Sequence, residues 1–491
     1  MKVSDCMAST ASRNRFSELL QHLLTLSNTK NITLAKELQY DESYISKWVS
    51  GKMLPPEKNF EKILHGISNC IVNSLDEETS LSFLRQYNLH NSSQLNQAIY
   101  DDLFEEYVYV KKLKVETGSE IAPVSSYYPE LTLTQFISKL HHPSLRHISS
   151  LEVVALMDVL ALNNDYRLSI STFQNEHAVD NYYPGVEFTS IVHLPDNPDT
   201  YFDDAVFFIR MLNNLNTVNF NLYSNPCAQG KILFSVKNTF SISGMLLDSN
   251  HCLSVNVSEE METCNTLYYR MNSLCTSDML LFRKTSIPDM IERHEYTRSM
   301  LSSNLRCILG HLTEHFMPED LHREILEQHY TNPDEIEQLI QLHQINRKVA
   351  KQSPIRVLVY ESAIADFAIS GQLDFYNQHI QLSPKQRMAY MQHLLETFSE
   401  LDNVESFLIT SNNPADPAYI AKATLFLSSA VSYLRLEKQR ESDNTLILNQ
   451  QNIKTVFSNF FDILWNKQNN NQKLIQCIQD SIHSIKILSD L

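Results

Sequence analysis

The sequence is poor in features that mark several large classes of protein. Only 8 glycines occur in 491 residues, and neither a GxGxxG nor a GxxxxGK[ST] phosphate loop is present. The 8 cysteines are scattered without a CxxC pair, which argues against a zinc site and favours a reducing compartment. The most apolar stretch, LEVVALMDVLAL, is interrupted by Glu152 and Asp158 and is shorter than the roughly 20 residues that span a bilayer. The first residues lack the apolar segment of a signal peptide, so we expect a cytoplasmic protein with no membrane contact.

Length and charge narrow the remaining classes. At roughly 150 residues per domain, the chain is long enough for about two to four domains. Residues 1–72 carry a net charge of +2, whereas the rest of the chain carries −19. Contact with nucleic acid needs a basic surface, because phosphate neutralisation dominates the affinity. Only the first segment is therefore a candidate for DNA contact, and the acidic remainder is expected to repel DNA.

The first 72 residues have the spacing of four amphipathic helices. RNRFSELLQHLLTL carries an apolar stripe that ends at Leu26, and NITLAKELQ predicts a short second helix. Asp41 is placed to cap a third helix, in which Ile45, Trp48 and Val49 face the core. A glycine and two prolines then end that helix, and EKNFEKILHGISNCIV predicts a fourth.

A recognisable pattern runs through the second and third helices. It consists of Leu34, Ala35, Leu38, Ser43, Ile45, Ser46, Gly51, Lys52 and Pro55. In this pattern residues 12–72 resemble the helix-turn-helix domain of the XRE/Cro family of transcriptional regulators. The resemblance implies that the helix after the turn enters the major groove of DNA. The family usually opens its second helix with Thr-Gln, where this chain has Lys30 and Asn31. Phosphate contact at that corner is therefore expected from Lys30, Asn31 or Thr33.

The remaining contacts follow from side-chain chemistry. Ser43, Tyr44, Ser46 and Lys47 are expected to reach base edges, and Lys52 to hold a phosphate. The predicted DNA-contact set is Lys30, Asn31, Thr33, Glu42, Ser43, Tyr44, Ser46, Lys47 and Lys52. We expect a homodimer on a palindromic operator, with half-sites about one helical turn, or ~34 Å, apart. The alternative is a helix-turn-helix that serves only to contact protein.

Residues 73–148 are predicted to be a helical connector and linker. DEETSLSFLRQYNL reads as a helix, and SSQLNQAIYDDLFEEYVYVKKL as another. The second has Leu95, Ile99, Leu103 and Tyr107 at four-residue steps, a stripe that would either pair with another subunit or pack within the chain. KVETGSEIAPVSSYYPELT clusters Gly, Ser and Pro without a period, which predicts a linker.

The remaining sequence predicts an α/β body in two regions, 149–350 and 351–491. The strand-like runs of the first region are YRLSISTF, VEFTSIVHLP, TVNFNLYSN, GKILFSVKN and LSVNVSE. Those of the second are IRVLVYES, VESFLITS, ATLFLSSAVSYLRL and TLILN. Strands and helices follow a similar order in both, which suggests two duplicated halves joined by the helices of residues 285–350. The predicted fold class is multidomain, with an all-α helix-turn-helix head, a helical connector and a mixed-sheet α/β body.

No catalytic or metal-binding pattern emerges from the sequence. HHPSLRH has no adjoining cysteine or acidic cluster, and DNPDTYFDD lacks the Gly and Glu of an EF-hand loop. HLTEHF puts His311 and His315 four residues apart, but Leu312 stands where HExxH has its general base. We interpret HLTEHF as a helix surface. The prediction is a non-enzyme without cofactor or metal.

The second region has one further set of matching features. FLSSAVSYL has the small-residue turn before a strand, and Phe461 to Trp465 the closing helix, of the phospholipase D-like fold, which this region resembles. The His-x-Lys and Asp signature of that family is missing, since the strand reads IAKATLFL. The resemblance implies a catalytically inactive domain kept for binding or dimerisation.

Three functions are consistent with these patterns. The first is a dimeric DNA-binding transcriptional regulator whose body dimerises and senses a signal such as a small molecule. The second is a regulator whose body is a peptide receptor in a cell–cell signalling circuit. The third is a nucleic-acid-processing enzyme that the head targets to DNA.

Overall fold

The structure is a computed structural model of the full chain. It describes residues 14–75, 79–80, 84, 91–117, 125–140, 150–167, 185–214, 219–302, 304–410, 422–436, 445–468 and 471–489. The motif HHPSLRH, most of DEETSLSFLRQYNL and residues 168–173 of YRLSISTF lie outside these ranges. Within them, every helix is too short or too polar to cross a membrane.

The head is helical, as the sequence predicts. Its helices are α1 (Arg15–Leu26), α2 (Asn31–Leu38), α3 (Glu42–Val49), α4 (Phe60–Ser74) and α5 (Ser92–Thr117). Asn14 caps α1 and Asp41 caps α3, each by accepting a hydrogen bond from a backbone N–H of the first turn. Gln39 ends α2 in a left-handed conformation (φ 57°), so the chain turns sharply into α3.

The core of the head includes α5. Leu95, Ile99, Leu103 and Tyr107 are at most 2% exposed and pack with the core side chains of α1 to α4. The predicted stripe therefore packs within the chain and is not available to another subunit. The core of the head continues past residue 72 into the predicted connector. Leu26, predicted as part of the α1 stripe, is instead 40% exposed.

The first sheet has seven strands. They are β1 (Ser125–Thr132), β2 (Ser150–Met157), β3 (Gly185–Val192), β4 (Asn219–Ser224), β5 (Lys231–Val236), β6 (Phe240–Leu246) and β7 (His251–Ser258). Strand β1 falls in the stretch predicted as a linker, and that prediction is wrong for residues 125–132. Its backbone pairs with β7 along its length, from Ser125 opposite Ser258 to Thr132 opposite His251.

The second sheet also has seven strands. They are β8 (Phe282–Thr285), β9 (Leu305–Leu309), β10 (Ile355–Tyr360), β13 (Val404–Ile409), β14 (Thr424–Leu427), β15 (Tyr433–Arg435) and β16 (Thr445–Leu448). The short strands β11 (Gln372–Phe375) and β12 (Gln378–Gln381) form a separate hairpin. Because β8 and β9 precede residue 350, the second sheet draws strands from both predicted regions. The segment 285–350 is thus not simply a set of joining helices.

The two sheets have the same strand order. From one edge the first reads β4-β3-β2-β5-β6-β7-β1, and the second reads β13-β10-β9-β14-β15-β16-β8. In each sheet the first three strands in this order are parallel, and every later pair is antiparallel. The resemblance seen in the sequence between the two regions therefore extends to every strand of the two sheets.

Helices cover and connect the sheets. They are α6 (Leu133–Leu140), α7 (Tyr201–Asn214), α8 (Met261–Asn272), α9 (Ile287–Glu292), α10 (Glu295–Met300), α11 (Glu319–His329), α12 (Pro333–Ala350), α13 (Glu361–Ser370), α14 (Pro384–Glu400), α15 (Gln451–Asn466) and α16 (Gln472–Ser489). Side chains of α7 and α15 share one apolar core with residues of both sheets. Phe202 on α7 meets Phe460 on α15 with ring centroids 5.3 Å apart. The two sheet regions therefore pack as one body.

Candidate functional site

Capping and burial decide which face of α3 meets solvent. Asp41 Oδ1 accepts a hydrogen bond from the Ser43 backbone N–H at 2.9 Å, which fixes the first turn. Hydrogen bonds from Ser43 lower the pKa of Asp41, so the cap stays ionised at neutral pH. Ile45 and Trp48 are fully buried in the core of the head. The helix is thereby held in one rotation about its own axis.

Five of the predicted DNA-contact residues lie on the exposed side of α3. They are Glu42, Ser43, Tyr44, Ser46 and Lys47. The Lys47 ammonium lies 5.4 Å from the centroid of the Tyr44 ring, and Tyr40 packs edge-on against Tyr44 at 6.2 Å between centroids. A cation over an aromatic face gains about 0.5–1 kcal/mol at an exposed site. The pair therefore favours an arrangement in which ring and ammonium lie together.

The other four predicted residues lie in two adjacent segments of the head. Lys30, just before α2, and Thr33 in its first turn are exposed, while Asn31 between them is half-buried. Lys52 is exposed in the loop that follows α3. All nine predicted residues thus lie on the head with at least part of their surface open. With three lysines and Glu42 among the nine, the set has a small net positive charge.

A buried ionic cluster beneath the second sheet is the other notable site. Arg435 on β15 donates two hydrogen bonds to Glu314, at 3.0 Å from Nη1 and 2.6 Å from Nη2, and both residues are fully buried. Arg435 Nη1 also lies 3.6 Å from Asp374 Oδ2. Burial by itself would raise the pKa of each carboxyl, but the guanidinium holds the pKa of both below its usual value. Two ionised carboxylates therefore share one guanidinium.

His311 links this cluster to β14. Thr424 Oγ1 accepts hydrogen bonds from the backbone N–H groups of Gly310 and His311, each at 3.1 Å. The same oxygen lies 3.0 Å from His311 Nδ1 and 3.4 Å from the His311 carbonyl oxygen, and Nε2 of the ring lies 3.4 Å from Asp374 Oδ2. Both ring nitrogens of His311 therefore have a partner within the protein, and these contacts orient the ring at the edge of the site.

A cavity of about 490 Å³ opens next to His311. It lies where the parallel strands β9 and β10 end, the position in which α/β folds commonly bind ligands. Its polar lining residues are His311, Asp366, Ser370, Gln372, Asp374, His379 and Lys422, and its apolar walls include Leu312, Phe367 and Leu436. Lys422 Nζ lies 3.0 Å from Asp366 Oδ2. The volume falls within the roughly 300–1,000 Å³ of small-molecule sites.

The prediction of a helix surface for HLTEHF is wrong. Residues Glu314–Phe316 form a single 3-10 turn, Glu314 is fully buried, and the His315 side chain is 4% exposed. The four-residue spacing of two histidines suggested a helix, but the partner that buries Glu314 is Arg435, 121 residues away. The one local signal is Arg435 itself, an arginine inside the otherwise apolar strand residues YLRL.

Across the described parts of the chain, no group of three or more His, Cys, Asp or Glu side chains is placed to hold a metal ion. Comparison with models of known protein families and with curated proteins found no match to this sequence.

Proposed function

We propose that this protein is a sequence-specific DNA-binding transcriptional regulator that acts as a homodimer. The observation that carries the proposal is the geometry of α3. Its cap and its buried Ile45 and Trp48 leave Ser43, Tyr44 and Lys47, together with Ser46, exposed on a rigid helix after a sharp turn. A helix held in this way after a turn is the element that enters the major groove in helix-turn-helix proteins. The resemblance to the XRE/Cro family and the net charge of +2 on residues 1–72 support the same interpretation.

The side chains of α3 suit distinct kinds of base contact. Lys47 can donate to guanine O6 or N7, and the Tyr44 ring beside it can pack against a thymine methyl. The hydroxyls of Ser43 and Ser46 can donate to or accept from base edges. Lys30, Asn31, Thr33 and Lys52 would instead bind phosphates and set the register on the duplex.

Dimerisation is part of the proposal because each head supplies few cations. Two heads on half-sites about 34 Å apart would double the number of phosphate contacts. The body would supply the dimer contact. We infer that its two sheets arose by duplication, and that the body is a catalytically inactive relative of the phospholipase D-like fold. The identical strand order of the sheets supports the duplication.

The test is selection of binding sites by the full chain from random duplexes, followed by gel shift at fixed salt. Ser46→Ala/Lys47→Ala should weaken binding to the selected site by at least about tenfold, since a good base contact is worth about 1–3 kcal/mol. Lys62→Ala, which removes one positive charge at an exposed position of α4, is the matched control and should stay within about threefold of the parent. Equal affinity of the double variant and the parent would show that α3 does not read DNA.

The cavity beside His311 favours a signal-binding role for the body as a second candidate function. A carboxylate on a small molecule or short peptide could replace Asp366 at Lys422, with its apolar part against Leu312 and Phe367. A thermal-shift screen of organic acids and peptides tests it. A hit that shifts the parent and Lys422→Ala equally does not bind at this cavity.

A further inference from the structure

The loop after α3 carries Lys52, one of the predicted phosphate contacts. Gly51 takes a left-handed conformation (φ 77°) and turns the chain out of the helix. Lys52 follows at once and is exposed, whereas Pro55 three residues later is buried. Two backbone hydrogen bonds tie the loop back to α3, from Gly51 N–H to the Trp48 carbonyl and from Met53 N–H to the Lys47 carbonyl, each at 3.2 Å. Side chains from other parts of the head also hold the loop.

Asn14 holds the start of this loop. Its Nδ2 donates to the Gly51 carbonyl at 2.9 Å, while its Oδ1 accepts from the Ser17 backbone N–H at 3.0 Å and so caps α1. Asn14 is only 5% exposed. One amide therefore joins the first turn of α1 to the residue before Lys52.

Tyr107 on α5 holds the end of the same loop. Its hydroxyl donates to the Pro55 carbonyl at 3.0 Å, across 52 residues of sequence. The ring stacks on Phe60 with centroids 4.6 Å apart and meets Phe16 edge-on at 6.0 Å. Burial raises the pKa of Tyr107, so the hydroxyl keeps its proton and remains a donor.

We propose that Asn14 and Tyr107 are positioning residues that hold Lys52 ready to bind a DNA phosphate. The inference rests on the proposed DNA-binding function and gives α5 a role in DNA binding through Lys52, without contact between Tyr107 and DNA. Fixing the loop on both sides of Lys52 removes the ordering cost that a free loop would meet on binding DNA. Tyr107 thus does more than fill the core, because its hydroxyl holds the loop that carries the exposed Lys52.

The test measures affinity of the full chain for its selected duplex across a range of salt concentrations. Tyr107→Phe keeps the ring and removes the donor. We expect a loss of about threefold to tenfold in affinity, in line with one misplaced charged contact. We also expect the slope of log Kobs against log salt to shrink by about 0.9 per head, because one phosphate contact is lost. Tyr100→Phe, the same change on the same helix, should alter neither quantity.

Double variants separate positioning from stability. Lys52→Ala should show the same change in salt slope, and Tyr107→Phe should add nothing to it. Asn14→Ser, which keeps an N-cap side chain for α1 but removes the amide that donates to Gly51, should behave like Tyr107→Phe and serves if that variant fails to fold. An unchanged slope in Tyr107→Phe, or an effect additive with Lys52→Ala, overturns the inference. A parent that binds no duplex at any salt concentration overturns the proposed function instead.

Discussion

Lowering the pH from 7 to 5 should destabilise the core next to the second sheet through three buried histidines. The rings of His322 and His343 are stacked 3.9 Å apart, and each residue is 1% exposed. His322 Nε2 lies 3.0 Å from the Tyr376 hydroxyl, and His343 Nε2 lies 3.0 Å from the Met317 carbonyl oxygen. Burial lowers the pKa of His322 to about 2, that of His343 to about 4 and that of His315 to about 3.

The sign follows from which state takes up protons first. In the unfolded chain each ring titrates near pKa 6.5, whereas in the folded protein it stays neutral to much lower pH. The contribution of the three neutral histidines to the free energy of unfolding is therefore fully present above about pH 6.5, and it is lost as the pH falls below that value. At pH 5 the pKa of each histidine in the folded protein still lies below the pH, so the loss of unfolding free energy depends only on the pKa in the unfolded chain. This loss amounts to about 2 kcal/mol per histidine, or about 6 kcal/mol in total, against a typical stability of about 5–15 kcal/mol.

Urea unfolding at the two pH values measures this loss. The chain has two tryptophans, so a Trp48→Phe background leaves Trp465 as the reporter of the body. His322→Gln should reduce the loss between pH 7 and pH 5 by about 2 kcal/mol. His329→Gln, at an exposed position on the same helix α11, should keep the pH dependence of the parent. If His322→Gln also keeps it, the buried histidines are not the source of the acid sensitivity and the reasoning fails.

Three further changes test other parts of the structure. Leu103→Ala on α5 should destabilise the head by about 2–5 kcal/mol in chemical denaturation followed by Trp48 fluorescence. Asp101→Ala, at an exposed position of the same helix, should change the stability by less than about 0.5 kcal/mol. Equal effects of the two variants would mean that α5 is not part of the core. Glu314→Gln should cost the body about 3–5 kcal/mol, because Arg435 loses its main charge partner, and a neutral result in urea unfolding would contradict an ionised Glu314. Gly310→Ala should lower the body's melting temperature, since the added carbon would lie 2.7 Å from the backbone of Ala423, just before β14. An unchanged melting temperature would refute that close approach.

The features that sequence predicted best are those set by local interactions. The Asp41 cap and the Ile45 and Trp48 face of α3 depend on residues within two turns, and all of them are found in the structure. Such features need no knowledge of the remaining chain.

The features that sequence missed depend on distant partners. The composition of β1, with its Ser, Tyr and Pro residues, predicts a linker, yet β7 pairs with it from more than a hundred residues away. Glu314 lies in a segment with helix-like spacing, but its burial is explained by Arg435. The cavity likewise collects residues such as Asp366 and Lys422 from separate segments. Only the tertiary fold brings these groups together.

The matching strand order also has a consequence for how the chain folds during synthesis. In each sheet the first strand made is an edge strand that pairs with the last strand made, as β1 does with β7 and β8 with β16. In neither sheet can the first strand pair until the last strand has left the ribosome. The first sheet is complete once residue 258 has emerged, while the second still has to be translated at about 5–20 residues per second. Folding of the body should therefore occur in two successive steps, and the apolar surface shared by the two sheets stays exposed to chaperones in the interval.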